Sequence, residues 1–207
     1  MLKVGLTGNY GMGKSSVTGV FRKLGAVTVD SDEIVASLLM EDSVKGLILG
    51  LIGIKALNPD GSLNKLYIAG KVFKNKALRK RLEALLHPLV FENVGDCIKK
   101  VRDRKRIIII EVPLLFEGGY QSQFDRTVTV FASRKIALSR LTKAGISQKQ
   151  ALERLRTQMD IRTKKRLADY RINNNGTKKQ TAAQVRKIYQ LLVEENEKRI
   201  SKGQHRP

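Results

Sequence analysis

A run of small and polar residues near the start of the sequence has the composition and spacing of a loop that binds phosphate. Residues 8–15 read Gly-Asn-Tyr-Gly-Met-Gly-Lys-Ser and match the pattern G-x-x-x-x-G-K-[ST] without a gap. Glycines let successive backbone N–H groups point inward around a phosphate, the lysine can reach the terminal phosphates, and the serine hydroxyl can hold Mg²⁺. The run therefore predicts a site for a nucleoside triphosphate and Mg²⁺, the alternative being a turn that only links a strand to a helix. The predicted nucleotide-binding residues here are Gly8, Asn9, Tyr10, Gly11, Met12, Gly13, Lys14, Ser15 and Ser16.

The residues on either side of this run are those that a phosphate-binding loop (P-loop) needs. Residues 1–6 are an apolar run that predicts a strand, and apolar residues recur at helical spacing over residues 14–24. A strand before the loop and a helix after it are the setting in which this motif binds phosphate, and the helix N-terminus adds a partial positive charge. The residues that predict the buried helix face are Val17, Val20, Phe21 and Leu24.

Short apolar runs alternate with helical spacing along much of the remaining chain. This alternation predicts an α/β fold with three layers, a parallel sheet flanked by helices. The predicted further strands cover residues 26–29, 107–110, 127–131 and, at the sheet edge, 170–173. The predicted later helices cover residues 134–143 and begin again after Ser147 and at Thr181. Residues 62–104 are almost entirely helical in pattern and predict an inserted subdomain.

Composition and charge narrow the classes of function. The 207 residues carry 40 Lys and Arg against 19 Asp and Glu, a net charge of +21, with a single cysteine, Cys97. Apolar runs are shorter than the about 20 residues that span a bilayer, so we expect a cytoplasmic protein with no membrane partner. The charge attracts nucleotides or nucleic acid, or reflects a basic surface without a partner. Since only 5% of residues are aromatic, base-stacking platforms are scarce and nucleic-acid binding is disfavoured. No feature indicates an oligomeric state.

Seven segments, in order, resemble those of the dephospho-coenzyme A kinase family. They are GLTGNYGMGKSS, VDSDEI, NPDGSLNKLYIAGKVF, LEALLHPLV, EVPLLFE, RLTKAGIS and ADYRINNNG. The resemblance implies one P-loop kinase domain over residues 1–207, with a helical CoA-binding subdomain near residues 58–104 and a lid near residues 134–165. It further implies that ATP and Mg²⁺ are used to phosphorylate the ribose 3′-hydroxyl of dephospho-CoA.

The resemblance also assigns catalytic roles. Asp32, the second acid of Asp30-Ser31-Asp32, matches the family's proton-accepting aspartate, although Asp30 with Glu33 also resembles a helix cap. Arg140 matches a lid arginine that grips ATP phosphates together with Lys14, although an arginine on so basic a helix is often merely solvated.

Further site residues have two interpretations each. Glu111, at a strand end, is suited to Mg²⁺ together with Ser15, or is a buried acid bound by backbone amides. His87 precedes Pro88, so it contacts the substrate or marks a helix break. Asn174 and Gly176 border the adenine in the family, but a turn alone would also favour them.

The sequence departs from the family at the loop and the lid. Asn9 and Tyr10 replace small residues and Met12 replaces a common serine, so Tyr10 either packs beside the nucleotide or narrows the site. Ala144 stands where many members have a second lid arginine, which leaves Lys143, or Arg154 and Arg156, for that role. Two alternatives to dephospho-CoA phosphorylation stay open: another small P-loop kinase that acts on a nucleotide or nucleoside, and, because of the charge, an ATP-dependent nucleic-acid-binding protein.

Overall fold

The larger of the two structural units is built on a parallel five-stranded sheet. The computed structural model describes residues 1–103 and 105–203. The strands are β1 (Leu2–Thr7), β2 (Val27–Asp30), β3 (Ile107–Glu111), β4 (Arg126–Phe131) and β5 (Tyr170–Asn173). They lie in the order β2-β3-β1-β4-β5, and every neighbouring pair is parallel. The predicted strands and the edge position of the last one are confirmed, and the strand that leads into the glycine-rich loop lies in the middle of the sheet.

Nine helices lie in the described part of the chain. They are α1 (Lys14–Lys23), α2 (Ser31–Leu38), α3 (Asp42–Ile52), α4 (Lys65–Lys74), α5 (Lys76–Lys99), α6 (Arg134–Lys143), α7 (Gln148–Arg156), α8 (Ile161–Leu167) and α9 (Lys178–Gly203). None of the helices in these described residues is both long enough and apolar enough to cross a membrane.

Two apolar layers cover the sheet and confirm the predicted three-layer fold. On one face, alternate residues of β1 such as Val4 and Leu6 pack with Val17 and Phe21 of α1 and with buried residues of α9. On the other face, a Cβ on Gly5 would lie 2.9 Å from the Phe124 ring, so glycine is what lets the second layer approach the sheet. The central strand is thereby buried on both sides, as a parallel sheet requires.

The second unit, residues 31–100, is helical. Its helices α2 and α3 pack on α5, around buried residues that include Leu38, Ile48 and Val94. A turn at residues 58–61 closes with a hydrogen bond from the Gly61 N–H to the Asn58 carbonyl oxygen at 3.0 Å. The unit begins immediately after β2, earlier than the helical subdomain that the resemblance implies near residues 58–104. Residue 104 lies outside the described residues.

Two expectations about helix boundaries were wrong, and two helices were missed. A break at His87-Pro88 is absent, because α5 continues through Pro88. The final helix begins at Lys178 and not at Thr181. Its capping box is formed by Thr177, whose N–H donates to Gln180 Oε1 at 2.8 Å while its Oγ1 accepts from the Gln180 N–H at 3.2 Å. The short helices α3 and α8 were not predicted.

Candidate active site

The glycine-rich loop joins the end of β1 to the start of α1 in backbone conformations that favour glycine. Gly11 and Gly13 have φ values of +76° and +87°, which other residues rarely adopt. Lys14 is the first residue of α1, and its Nζ donates to the carbonyl oxygen of Gly8 at 3.1 Å. The lysine thus crosses the loop at the positive end of a helix, which is where phosphate binds.

Two elements from elsewhere in the chain reach the loop at the carbonyl oxygen of Met12. Arg140, in the last turn of α6, donates to it from Nη1 at 3.3 Å and to the carbonyl oxygen of Asn174 from Nη2 at 2.9 Å. Asn174 follows β5, is 6% exposed and donates from Nδ2 to the same Met12 oxygen at 2.9 Å. Its Oδ1 accepts from the Thr181 hydroxyl of α9 at 2.9 Å, and Gly176 lies in the bend between them. Arg140 and Asn174 are therefore brought to the loop, while the Met12 side chain packs into an apolar cluster.

The start of the loop is attached to the segment that joins α7 to α8. Asn9, 5% exposed, donates from Nδ2 to the carbonyl oxygen of Met159 at 3.0 Å. The Tyr10 N–H donates to Gln158 Oε1 at 2.8 Å. The Tyr10 hydroxyl accepts from Arg154 Nη1 at 2.8 Å, and the Arg154 guanidinium lies 4.9 Å from the Tyr10 ring centroid. Both unusual loop residues therefore contact the predicted lid region.

A cavity of about 310 Å³ lies between the loop and this part of the chain. Its lining combines apolar side chains with two arginines, so it can receive a ligand that is partly apolar and partly anionic. The lining residues are Asn9, Met12, Ala132, Arg134, Leu155, Arg156, Gln158, Met159, Asp160 and Ile161.

Two carboxylate residues end neighbouring strands at the same edge of the sheet. Glu111 ends β3, is 4% exposed, and pairs in register with Leu6 of β1 and with Asp30 of β2. Ser15 and Ser16 lie in the exposed first turn of α1. No group of three or more His, Cys, Asp or Glu side chains among the described residues could hold a metal ion by itself. Glu111 and Ser15 fit a Mg²⁺ ion that is bound to a nucleotide. Such an ion usually keeps several waters and binds one or two carboxylates together with the phosphates of the substrate.

A buried ion pair under the site was not predicted. Lys164 of α8 is fully buried, and its Nζ donates to Glu117 Oε1 at 2.8 Å and to the Pro113 carbonyl oxygen at 2.9 Å. The same Glu117 oxygen accepts from the Met159 N–H at 2.9 Å. Burial lowers the pKa of Lys164, and the hydrogen bond and charge of Glu117 oppose this effect. No signal marks Lys164 in the sequence, because it stands in a basic run whose other members are not fully buried.

The remaining two predicted residues belong to the helical unit. Asp32 is the second residue of α2, two residues after the end of β2, and its side chain is exposed. His87 is half-buried in α5, where burial lowers its pKa and the charge of Glu83 opposes the shift.

The family model and the curated relatives of this chain name the same family. Residues 2–180 match the family model described as dephospho-CoA kinase. The dephospho-CoA kinase of Aquifex aeolicus is 31% identical over 194 residues, covering 93% of this chain and 98% of the relative. That of Protochlamydia amoebophila is 35% identical over 195 residues, covering 92% and 96%. A crystal structure of the protein TT1252 from Thermus thermophilus aligns with a TM-score of 0.81 and 26% identity, covering 90% of this chain and 95% of that one.

Proposed function

Because this chain belongs to the dephospho-CoA kinase family, we propose that it transfers the γ-phosphoryl group of ATP to the ribose 3′-hydroxyl of dephospho-CoA. The observation that carries the proposal is the family match over residues 2–180, in a chain whose P-loop has its lysine at the start of a helix. Such a reaction uses ATP and a coenzyme A precursor, and we place it in the cytoplasm, where a lone cysteine such as Cys97 stays reduced.

The phosphates of ATP bind at the loop and the first turn of α1. Backbone N–H groups of residues 8–16 surround them, and Lys14 exchanges its contact with the Gly8 carbonyl oxygen for a phosphate oxygen. Phosphoryl transfer demands little covalent chemistry from the protein, so the rate gain comes from positioning and from neutralising charge on the transferring group.

Arg140 and Asn174 hold the nucleotide end of the site in shape. Both side chains bind the Met12 carbonyl oxygen, so they fix the loop between Gly11 and Gly13, whose positive φ angles turn the backbone. Arg140 keeps further N–H donors for a phosphate oxygen. Asn174 and Gly176 lie where the adenine would border the end of β5.

Mg²⁺ would be held by the Ser15 hydroxyl and the Glu111 carboxylate, together with the phosphates and water. When bound it neutralises charge on the β- and γ-phosphates. Glu111 is well suited to this role because its strand ends at the sheet edge beside the loop, where Glu111 pairs in register with Leu6 of β1 and with Asp30, the last residue of β2.

Asp32 accepts the proton of the ribose 3′-hydroxyl as the phosphoryl group is transferred. A carboxylate serves this role because the proton leaves late, when the attacking oxygen has already become acidic. His87 contacts the substrate from α5, and its lowered pKa keeps the imidazole neutral at pH 7, able to donate one hydrogen bond and accept another.

A coupled ADP-release assay tests the proposal. Dephospho-CoA, AMP, CMP and adenosine are offered in turn with Mg-ATP to the wild-type protein and to Asp32→Asn. We expect turnover with dephospho-CoA alone, and a fall in kcat of about 10²-fold or more in the variant, the usual contribution of a positioned base. Turnover of another acceptor without dephospho-CoA would reject the substrate, and an unchanged kcat in Asp32→Asn would reject the base.

A further inference from the structure

The contact between Tyr10 and Arg154 joins the P-loop to α7 through two interactions with one side chain. The guanidinium donates to the phenol oxygen at 2.8 Å and also lies 4.9 Å from the ring centroid. A hydrogen bond fixes one end of the guanidinium and the contact with the ring limits its tilt. The Arg154 side chain is exposed, and an exposed arginine would otherwise sample many rotamers.

Tyr10 is itself held in place by contacts with the segment that carries Arg154. Its N–H donates to Gln158 Oε1 at 2.8 Å, and the neighbouring Asn9 donates to the Met159 carbonyl oxygen at 3.0 Å. The backbone and the ring of the loop thus bind the same short segment, residues 154–159. The guanidinium is consequently fixed relative to the loop and not only to its own helix.

The location of this guanidinium suits it to a phosphate. Tyr10 lies two residues beyond Gly8, whose carbonyl oxygen accepts from the P-loop lysine, Lys14. Arginine has five N–H donors in a planar fork, so one hydrogen bond to Tyr10 leaves donors for a phosphate oxygen. Ala144, at the end of α6, has no charged side chain that could bind a phosphate.

We propose that Tyr10 is a positioning residue that holds Arg154 beside the P-loop, where Arg154 binds the phosphates of ATP. The proposal rests on ATP being a substrate, as proposed above. It explains a large aromatic residue within a loop of small ones: the ring orients a cation and does not contact the reacting atoms. An arginine held in this way neutralises charge on the transferring group without reorganising first.

A double-mutant cycle tests whether Tyr10 acts through Arg154. The single variants Tyr10→Leu and Arg154→Ala and the double variant are compared by kcat and KM for each substrate. We expect Tyr10→Leu to lower kcat/KM for ATP about tenfold in the wild-type background and less than about twofold in Arg154→Ala, since contacting residues are not additive. KM for dephospho-CoA should stay unchanged. Tyr10→Phe, which keeps the ring and loses the hydroxyl, should fall between Tyr10→Leu and wild type.

Controls separate this role from folding and from simple charge loss. Lys149→Ala removes an exposed cation from the same helix and should leave kcat/KM for ATP within about twofold, as surface changes usually do. Melting temperatures identify variants that fold poorly. If Tyr10→Leu is one of them, the double-mutant cycle is measured with Tyr10→Phe and Arg154→Lys instead. Equal fold-losses from Tyr10→Leu in both backgrounds, or a loss in Lys149→Ala equal to that in Arg154→Ala, would overturn the proposal.

Equilibrium binding of a non-hydrolysable ATP analogue separates this proposal from the proposed function. If the wild-type protein did not phosphorylate dephospho-CoA, the acceptor assignment would fail, and the same cycle measured on Kd would still decide the role of Tyr10. Coupling between the two positions in Kd supports the proposal, and independent effects reject it.

Discussion

At Gly11 the shape of the loop depends directly on the absence of a side chain. A Cβ at this position would lie 2.7 Å from the Ala137 carbonyl oxygen, and its φ is +76°. We expect Gly11→Ala to lower the free energy of unfolding by about 2–4 kcal/mol through backbone strain and overpacking and to weaken ATP binding. Urea unfolding and calorimetry with an ATP analogue measure both effects.

Gly19 provides the matched control for that substitution. It lies inside α1, and a Cβ there would meet nothing within 4 Å. Gly19→Ala should therefore stabilise the protein by about 0.5–1 kcal/mol, because alanine loses less conformational entropy in a helix. Equal behaviour of the two variants would show that the loop tolerates a side chain.

The ammonium group of Lys164 needs Glu117 as its counter-charge, because the whole Lys164 side chain is removed from water. Replacing Glu117 by Gln leaves a buried ammonium without its anion, which usually costs about 3–5 kcal/mol. We expect Glu117→Gln to lower the melting temperature by roughly 10 °C, since about 1 kcal/mol corresponds to 2–4 °C at this size. Glu153→Gln, an exposed change on α7, should leave it nearly unchanged.

The pH dependence of Glu117→Gln distinguishes a buried charge from lost packing. Burial already lowers the pKa of Lys164 from 10.5, and Glu117 opposes this, so the variant should lower it further. The unfolded chain then binds more protons than the folded one between the lowered pKa and 10.5, and stability rises with pH across that window. Chemical unfolding at pH 7 and 9.5 should show the variant recovering relative to wild type, and a constant difference would point to packing alone.

Helix α9 is docked on the sheet by charged groups near its C-terminal half. Arg199 lies within hydrogen-bond distance of Asp125 Oδ1 at 2.6 Å and of Glu195 at 3.0 Å, and Glu195 also pairs with Arg126 at the start of β4. Asp125 accepts in addition from the Lys3 N–H at 2.7 Å. Helix and sheet are thus connected at the end opposite to the P-loop, beyond the apolar core.

The acid sensitivity of this connection follows from Asp125. Burial raises the pKa of its carboxyl, but hydrogen bonds from the Lys3 N–H and Arg199 outweigh burial, so the pKa lies below its ordinary value. The stabilisation is therefore complete above about pH 4 and is lost as the pH falls through the lowered pKa. We expect Asp125→Asn to cost about 1 kcal/mol at pH 7, since Arg199 is partly exposed, and the difference from wild type to shrink at pH 2–3. Glu197→Gln, on the exposed side of α9, should cost nothing measurable by urea unfolding.

Elements were predictable where the local pattern and the tertiary packing agree. The P-loop is one example, because the same glycines and lysine shape the turn and bind the ligand. The cap of the final helix was misplaced by four residues, because Thr177 with Gln180 and Thr181 with Gln184 have the same spacing and only the first pair lies at the helix start. Gln184 instead donates to the Asn173 carbonyl oxygen and accepts from the Asn173 N–H, both at 2.9 Å.

Long-range packing decided the features that the sequence did not predict. Pro88 disfavours a helix through itself and its preceding residue, yet α5 continues, and Val90 and Val94 beyond the proline are buried. Lys164 resembles its basic neighbours in sequence, and its burial beside Glu117, from the segment after β3, distinguishes it only in the folded chain. In both places the contacts are with residues distant in sequence: α5 packs against α2 and α3, and Lys164 pairs with Glu117. A local sequence pattern does not contain such contacts.

At the scale of the whole molecule, the net charge of +21 should assist the binding of two polyanionic substrates. A positive field raises the local concentration of anions and their association rates, and salt screens it, with a Debye length that falls from about 10 Å at 0.1 M to about 3 Å at 1 M. We expect KM for ATP to rise several-fold, roughly 3–10-fold, between 0.05 and 0.5 M KCl, while kcat changes little because the contacts at the reacting atoms are short. Steady-state kinetics at constant free Mg²⁺ measure this. A KM that does not depend on salt would mean that the charge excess lies too far from the site to act on its substrates; in that case a salt-sensitive complex with single-stranded RNA, measured over the same range, would assign the charge to a different ligand.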